Sequence, residues 1–142
     1  MNDVFRAGVA PGGLTMDYEI KVMICYLLKE AGKPIPASTL IEIFVEEGIG
    51  NYFEVASAAS SLVHSGHIQL VPVENEESLY EVTPVGISAV EAFANDLPLA
   101  LREKAVAAVQ RALTLREYKS QNRTSVQRVD DGYQLTLTIK DV

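Results

Sequence analysis

The sequence predicts an α+β fold, in which three helices and a β-hairpin are followed by two more helices and a C-terminal β-hairpin. Apolar residues recur at helical spacing in residues 15–66 and 84–115, whereas they alternate in residues 67–83 and 124–142. Gly32, Gly48 and Gly66 close the first three helical segments, because glycine readily adopts the left-handed conformation that ends a helix. Together these patterns set the order of the elements.

The first helix is predicted over residues 15–31, after a loose arm over residues 1–14. Thr15 is a favourable N-cap, and Asp17 lies in the first turn, where the helix dipole favours a negative charge. The apolar residues of this segment recur at intervals of three and four, which predicts one continuous buried stripe. Its members are Ile20, Met23, Ile24, Leu27, Leu28 and Ala31.

Two shorter helices are predicted next, after a link whose Pro36 can join a sheet only at its edge. Ser38 or Thr39 can cap the second helix, and Asn51 can cap the third. We expect the second helix to bury Leu40, Ile41, Phe44 and Val45. We expect the third helix to bury Tyr52, Val55, Ala56, Ala59, Leu62 and Val63.

Alternating residues then predict a hairpin, with strands at residues 67–73 and 79–83 and a polar turn at residues 74–78. Thr83 followed by Pro84 indicates the start of a fourth helix, and Pro98 indicates the start of a fifth. A second hairpin is predicted over residues 124–129 and 133–142. Its apolar face consists of Tyr133, Leu135, Leu137 and Ile139.

The order helix, link, helix, tight turn, helix and hairpin is typical of a winged helix-turn-helix domain. The second and third helices form the helix-turn-helix, and residues 74–78 form the tip of the wing. We therefore expect a flexible arm over residues 1–14, a winged-helix domain over residues 15–96, and a dimerisation region over residues 97–142. One shared core is predicted for Leu27, Phe44, Val55, Leu62 and Ile68.

Residues 15–104 resemble an uncharacterised family of short bacterial proteins, known as a domain of unknown function. The residues that carry the resemblance are Asp17-Tyr18-Glu19-Ile20-Lys21, Tyr26-Leu27-Leu28-Lys29, Asn51-Tyr52-Phe53, Leu62-Val63-His64-Ser65-Gly66-His67, Thr83-Pro84-Val85-Gly86 and Leu97-Pro98. These are caps, turns and core positions, so the resemblance speaks to the fold more than to chemistry. It implies a winged helix followed by a small mixed domain, in proteins usually described as transcriptional regulators. The similar proteins continue beyond the point where this chain stops, so we expect a naturally short variant or a shortened form.

Composition indicates a folded protein of the cytoplasm. The chain has 142 residues, of which 48% are hydrophobic and 22% are charged. No apolar run approaches the roughly 20 residues that span a bilayer, and the start does not have the pattern of a signal peptide. Cys25 is the only cysteine, so an internal disulfide is excluded, and we expect an inert buried thiol.

The charge is distributed unevenly along the chain. Residues 1–100 hold four Lys or Arg against fourteen Asp or Glu, whereas residues 101–128 hold seven against two. The front is therefore acidic and the following segment is basic. The basic residues are able to contact phosphates, to pair with the acidic front of a second subunit, or to remain as a solvated helix face.

No sequence feature favours an enzyme, a cofactor or a metal. The chain has neither a phosphate-binding glycine loop nor the Gly-x-Ser-x-Gly motif of serine hydrolases. His64 and His67 have a spacing that suits a metal on one helix face, but Gly66 lies between them and ends the helix. We therefore expect His64 to be a solvated residue that meets the negative end of the helix dipole.

The outward face of the third helix is the candidate surface for duplex DNA. The donors that helical spacing places there are Asn51, Tyr52, Ser57, Ser61 and His64, and the candidates for phosphate contact are Lys21, Lys29 and Lys33. Because this face has no Lys or Arg, and the wing carries Glu74, Glu76 and Glu77, we expect weak and salt-sensitive binding. The alternative is a protein-interaction module that kept the fold and lost the DNA surface.

A homodimer is expected, with its interface after Leu97. An isolated hairpin is only marginally stable, so the apolar face of the C-terminal hairpin needs a cover from the fifth helix or from a second chain. Val109 and Leu113 would add apolar area to the same interface. A small-molecule effector is not identified by any motif.

Overall fold

The computed structural model describes the backbone of residues 17–130 and the side chains of residues 17–116. Within this range it has five α-helices and one three-stranded sheet, so the predicted α+β class is confirmed. The helices are α1 (Asp17–Ala31), α2 (Ala37–Glu46), α3 (Tyr52–Ser65), α4 (Pro84–Phe93) and α5 (Leu99–Asp130). The strands are β1 (Ile35–Pro36), β2 (Ile68–Val73) and β3 (Glu76–Val82), and a 3₁₀ turn (Ala94–Asp96) precedes α5.

The described part of the chain forms two compact units, divided after Val109. The first unit holds α1 to α4, the sheet and the first turns of α5. The second unit, from Gln110 onward, consists of the rest of α5 within the described range. None of the helices in that range combines the length and the apolar character that crossing a membrane requires.

Helix α1 is the centre of the first unit and contacts α3, α4 and β3. The predicted stripe is buried from Ile20 to Leu28, and only Ala31 is half-exposed. Val22 and Cys25, which lie outside that stripe, are also buried, as expected for a helix covered on several sides. The five residues predicted to share a core are all buried: Leu27, Phe44, Val55, Leu62 and Ile68.

Helix α2 buries a different face from the one predicted. Leu40 and Phe44 are buried as expected, but Ile43 is buried in place of Val45, which is 40% exposed, and Ile41 is half-exposed. The segment is apolar on nearly every side, so periodicity alone does not select the face that packs. Contacts with α3, β1 and β3 select it in the folded protein.

The sheet has the order β1-β3-β2 and is antiparallel throughout. Strand β1 lies at one edge and pairs Ile35 with Tyr80, so the edge position predicted for Pro36 is confirmed. The predicted five-residue turn was wrong, since β3 begins at Glu76 and the turn has only Glu74 and Asn75. Asn75 makes this short turn possible by adopting a positive φ of 63°, which asparagine tolerates better than most residues.

Helices α4 and α5 begin where the sequence predicts. Thr83 is the N-cap of α4, with Pro84 at the first helical position, and Gly86 donates its N–H to the Thr83 hydroxyl oxygen at 3.3 Å. Residues 124–129 were predicted as a strand, and that was wrong, because α5 continues to Asp130. No proline or glycine occurs between Pro98 and Gly132, so nothing in this segment interrupts a helix. Residues 131–142, with the rest of the predicted hairpin, lie outside the described residues.

Candidate functional site

A capping box fixes the start of α3. The Asn51 side-chain oxygen accepts the N–H of Glu54 at 2.9 Å, and the Glu54 carboxylate accepts the N–H of Asn51 at 3.4 Å. The predicted cap is therefore confirmed. Because the Asn51 oxygen and the Glu54 carboxylate both serve the helix start, we do not regard either as a primary DNA-reading group.

The outward face of α3 is rich in hydroxyl groups. Ser57, Ser60, Ser61 and His64 are exposed, as the helical spacing predicts. Tyr52 was predicted both in the buried set and among the outward donors, and at 59% exposure it belongs with the outward donors. The same helical spacing places Ala58 on the outward face, and that prediction was wrong, because Ala58 is only 1% exposed. Tyr52 is the first residue of α3, and the side chain of Ala58 is a single methyl group.

Two aromatic side chains project from the first turn of α3. Phe53 is 82% exposed, and its ring meets that of Tyr52 edge to face, with 5.9 Å between ring centroids. Burial raises the pKa of Tyr80 on β3 above its ordinary value, and the neighbouring Tyr52 raises it further. The aromatic start of α3 therefore lies beside the sheet.

The predicted phosphate-binding lysines have acidic neighbours. The Lys21 ammonium lies 3.0 Å from the Asp17 carboxylate one helical turn away, and that of Lys29 lies 3.8 Å from Glu30. Lys33 is exposed just beyond the end of α1. Partial neutralisation by these carboxylates lowers the attraction that Lys21 and Lys29 offer to a phosphate.

The β2–β3 hairpin contributes acidic rather than basic side chains to this surface. The Glu77 carboxylate accepts two hydrogen bonds from Ser38 at the start of α2, at 2.8 Å from the N–H and 2.7 Å from the hydroxyl. Ser38 and Thr39 were expected to cap α2, but the N-cap position is Pro36, which provides no side-chain cap. Glu77 thus occupies a helix start at which an anion such as a phosphate would otherwise be favoured.

A groove of about 340 Å³ lies between α1, α3 and α4. Its floor is formed by Val22, Cys25, Leu62 and Ala89, and the aromatic rings of Tyr18 and Phe93 stand at its rim. Lys21, Ser61, Ser65 and His67 supply its polar groups. The groove is therefore mostly apolar with one charged side chain among the described lining residues.

The Cys25 thiol at the floor of the groove is a poor nucleophile at neutral pH. Burial raises the pKa of the Cys25 thiol to about 11, so the thiolate is scarce at neutral pH. The Ser65 hydroxyl lies 2.6 Å from His67 Nδ1 and 3.2 Å from the Leu62 carbonyl oxygen, to which it donates. Among the residues whose side chains are described, no three His, Cys, Asp or Glu are grouped as a metal would require.

The remaining candidates are the basic residues of segment 101–128, the first of which is Arg102 in α5, and the residues predicted at a dimer interface. The Arg102 guanidinium donates from Nε to the Leu97 carbonyl oxygen at 3.2 Å and lies 5.9 Å from the centroid of the Tyr26 ring. Val109 and Leu113, predicted at a dimer interface, are buried within the single chain at 1% and 9% exposure. Tyr133, Leu135, Leu137 and Ile139 lie outside the described residues.

One sequence comparison assigns a family. The profile of a family described as a domain of unknown function (DUF4364) matches residues 20–142. The chain belongs to the DUF4364 family. The predicted resemblance to an uncharacterised domain family is thereby confirmed. No curated protein and no solved structure matches the chain at a significant level.

Sequence reasoning found the serine face of this DUF4364 chain but missed the groove. The exposed serines follow from one helical period, which is a local signal. The groove joins Tyr18 and Lys21 on α1 to Ser61 on α3 and Phe93 on α4. Lys21 is a charged residue beside the buried stripe of α1, but a single charged residue does not indicate which other helices pack around it.

Proposed function

We propose that this protein is a cytoplasmic transcription regulator of the winged-helix type, without enzymatic activity, that binds duplex DNA through α3. The observation that carries the proposal is the arrangement of the first unit. Helix α1 is followed by the edge strand β1, then by α2 and α3 across a tight turn, and then by the β2–β3 hairpin. This is the order of a winged helix-turn-helix, in which the second helix of the pair enters the major groove.

The outward side of α3 suits close approach to DNA. Ser57 and Ser61 are exposed one helical turn apart, and His64 is exposed three residues further on. Hydroxyl groups hydrogen-bond to bases or to phosphates, and short side chains let the helix backbone come near the groove. Tyr52 adds a phenol at the N-terminal end of the same helix, which is the end that meets base edges in such domains.

Electrostatics sets the expected strength of this binding. Residues 51–67 include no Lys or Arg, and Glu74, Glu76 and Glu77 lie on or beside the hairpin turn. Neutralised phosphates supply most of the non-specific affinity for DNA. Because few phosphates are neutralised, binding is weak and its log–log salt slope is shallower than that of a typical dimer with six or more phosphate contacts, unless a specific sequence provides contacts to bases.

The test is fluorescence anisotropy of a labelled mixed-sequence duplex with the full chain over a range of salt concentrations. We expect saturable binding at low salt and a log–log salt slope near −0.9 for each phosphate contact. The Ser57→Ala and Ser61→Ala substitutions together weaken binding by about tenfold, the loss expected for two neutral hydrogen bonds.

Ser88→Ala is the matched control, because Ser88 is an exposed serine on α4 rather than on α3. It leaves the affinity unchanged. Equal losses in the α3 and α4 variants would place the DNA elsewhere on the protein. Absence of binding at the lowest salt would remove the DNA-binding role altogether.

A second function, a protein-interaction module with the same fold, is favoured by a separate observation. Phe53 is 82% exposed beside Tyr52, and exposed aromatic side chains are enriched in protein interfaces. The Glu77 carboxylate at the start of α2 also opposes phosphate there. A photo-reactive residue at position 53 that crosslinks a discrete partner in cells, while one at position 88 does not, favours this function.

The regulator acts as a homodimer in this proposal, as expected for a helix-turn-helix protein that reads two half-sites. The candidate interface residues are Val109, Leu113, Tyr133, Leu135, Leu137 and Ile139, of which Val109 and Leu113 are also buried within one chain. Light scattering coupled to gel filtration measures this directly. A mass of twice the 15.5 kDa chain supports it, and a mass of one chain at all protein concentrations contradicts it.

A further inference from the structure

We propose that the groove between α1, α3 and α4 binds a small aromatic carboxylic acid. A volume of about 340 Å³ is at the small end of the range for ligand pockets in proteins, roughly 300–1,000 Å³. The lining combines an apolar floor with a few polar groups at one side, which is the usual composition of such pockets.

The residues at the floor and the rim of the groove favour a ligand with an apolar aromatic body. Val22, Cys25 and Leu62 are buried beneath the groove, and Ala89 leaves room above them because its side chain is a single methyl group. Tyr18 and Phe93 both line the groove and are 44% and 47% exposed. A planar aromatic ring in the groove would bury part of both side chains and gain the contact energy of aromatic pairs.

The ammonium group of Lys21 favours a ligand with a negative charge. Its side chain is 32% exposed, and it is the one charged residue among the described residues that line the groove. Its partner Asp17 is 70% exposed and lies one turn away, and surface pairs of this kind are weak. A ligand carboxylate therefore competes with Asp17 for the ammonium, and Ser61 on α3 offers it a hydroxyl.

The Cys25 thiol does not react with this ligand. It lies on the floor with 1% of its surface exposed, and burial keeps it protonated at neutral pH. Binding is therefore reversible and noncovalent, with the thiol acting as an apolar contact. This inference does not depend on DNA binding, because its test requires only the protein and a small molecule.

The experiment is a titration of the full ¹⁵N-labelled chain with indole-3-acetate, followed by the shifts of backbone amide signals. The neutral probe indole-3-acetamide is the matched ligand, since it differs only in the carboxylate. We expect indole-3-acetate to bind with a dissociation constant on the order of 1 mM or tighter, given its size. The affected amides should lie near Lys21, Ser61 and Ala89, and the acetamide should bind about tenfold more weakly, because it lacks a charge-assisted hydrogen bond.

Two pairs of variants separate the roles of charge and space. Lys21→Met should weaken indole-3-acetate by about tenfold, whereas Lys29→Met, which removes an exposed lysine of the same helix outside the groove, should not. Ala89→Leu should abolish binding of both probes by filling the groove, and Ala92→Leu on the exposed side of α4 should not.

Several outcomes would overturn the proposal. These are the absence of binding by either probe, equal affinities for the acid and its amide, or amide shifts that map away from the groove. Equal losses in the two lysine variants would overturn it as well. The ¹⁵N spectrum of each variant, compared with that of the unchanged chain, shows whether the fold is retained before any loss is interpreted.

Discussion

The Glu77 carboxylate on β3 binds the N-terminal end of α2 through Ser38, which lies thirty-nine residues earlier in the chain. One carboxylate oxygen accepts the Ser38 N–H at 2.8 Å, and the other accepts the Ser38 hydroxyl at 2.7 Å. The negative charge also meets the positive end of the helix dipole. This contact joins the β2–β3 hairpin to the start of α2 and sets the position of one relative to the other.

Glu77→Ala should lower the free energy of unfolding by about 1 kcal/mol, which is the usual cost of losing a helix cap at an exposed site. Urea denaturation followed by circular dichroism measures the loss. Glu74→Ala is the matched control, since Glu74 is an exposed glutamate of the same hairpin. Glu77→Gln should lie between the two, because the amide keeps an acceptor and loses the charge. A Glu77→Ala loss no larger than that of Glu74→Ala would contradict the role of Glu77.

Local signals accounted for most of the helices. Gly32, Gly48 and Gly66 adopt φ of 70°, 70° and 85°, so the left-handed turns predicted from glycine are confirmed. The Asn51 and Thr83 caps are confirmed in the same way. Each of these features depends on residues within about one helical turn, which is the range over which sequence patterns are reliable.

Errors arose where distant residues decide the outcome. Ser38 was predicted to cap α2 because it is a serine near a helix start, whereas its N–H and its hydroxyl bind the Glu77 carboxylate on a strand far along the chain. Residues 124–129 were assigned as a strand from alternation alone, although nothing interrupts the preceding helix. The groove was not predicted for the same reason. Its walls come from three helices, and the sequence of one segment does not show how these helices pack together.

Gly86→Ala should destabilise the protein by about 1–3 kcal/mol, the range for overpacking a close contact. Gly86 is buried in the first turn of α4, and a Cβ there would overlap the His67 carbonyl oxygen and lie 2.6 Å from Val82 Cγ2. The backbone oxygen cannot move aside without disturbing its hydrogen bond from the Thr83 N–H.

Helix propensity alone predicts the opposite effect, namely that Gly86→Ala would stabilise the protein. Alanine in a helix interior normally stabilises by roughly 0.5–1 kcal/mol relative to glycine. Ala92→Gly, at an exposed position of the same helix, should show that ordinary preference as a loss of similar size. Thermal or urea denaturation of both variants checks the pair, and a Gly86→Ala protein more stable than the parent would refute the close contact.

Leu27→Ala should cost about 2–5 kcal/mol, the range for deleting a fully buried leucine side chain. Leu27 is 0% exposed in α1, which contacts α3, α4, β3 and the 3₁₀ turn. Val85→Ala, at a position that is 53% exposed, is the control and should cost less than about 0.5 kcal/mol. A Leu27→Ala loss as small as the control would show that the α1 stripe does not form the core.

The Cys25 thiol should make stability fall between about pH 9 and pH 11. Burial raises its pKa from the ordinary 9.0 to about 11 in the folded protein. Below pH 9.0 both states hold the proton, so the full stability is present. Above it the unfolded chain releases the proton while the folded chain retains it, which favours unfolding until the folded thiol also ionises. The maximum loss is about 2–3 kcal/mol, at roughly 1.4 kcal/mol for each pKa unit.

Cys25→Ala isolates this effect, because all other groups that titrate in the same range, including Tyr80, remain in the variant. At pH 7 the Cys25→Ala variant should be less stable than the parent, because it loses the packing of the buried sulfur atom. As the pH rises from 9 to 11, the stability of the variant should fall less than that of the parent. Urea denaturation at successive pH values measures the difference in slope. A thiol reagent gives an independent check: Cys25, at 1% exposure, should react with it at pH 8 only at the rate of unfolding. Identical pH profiles for parent and variant, or rapid native labelling, would show that the thiol is not buried.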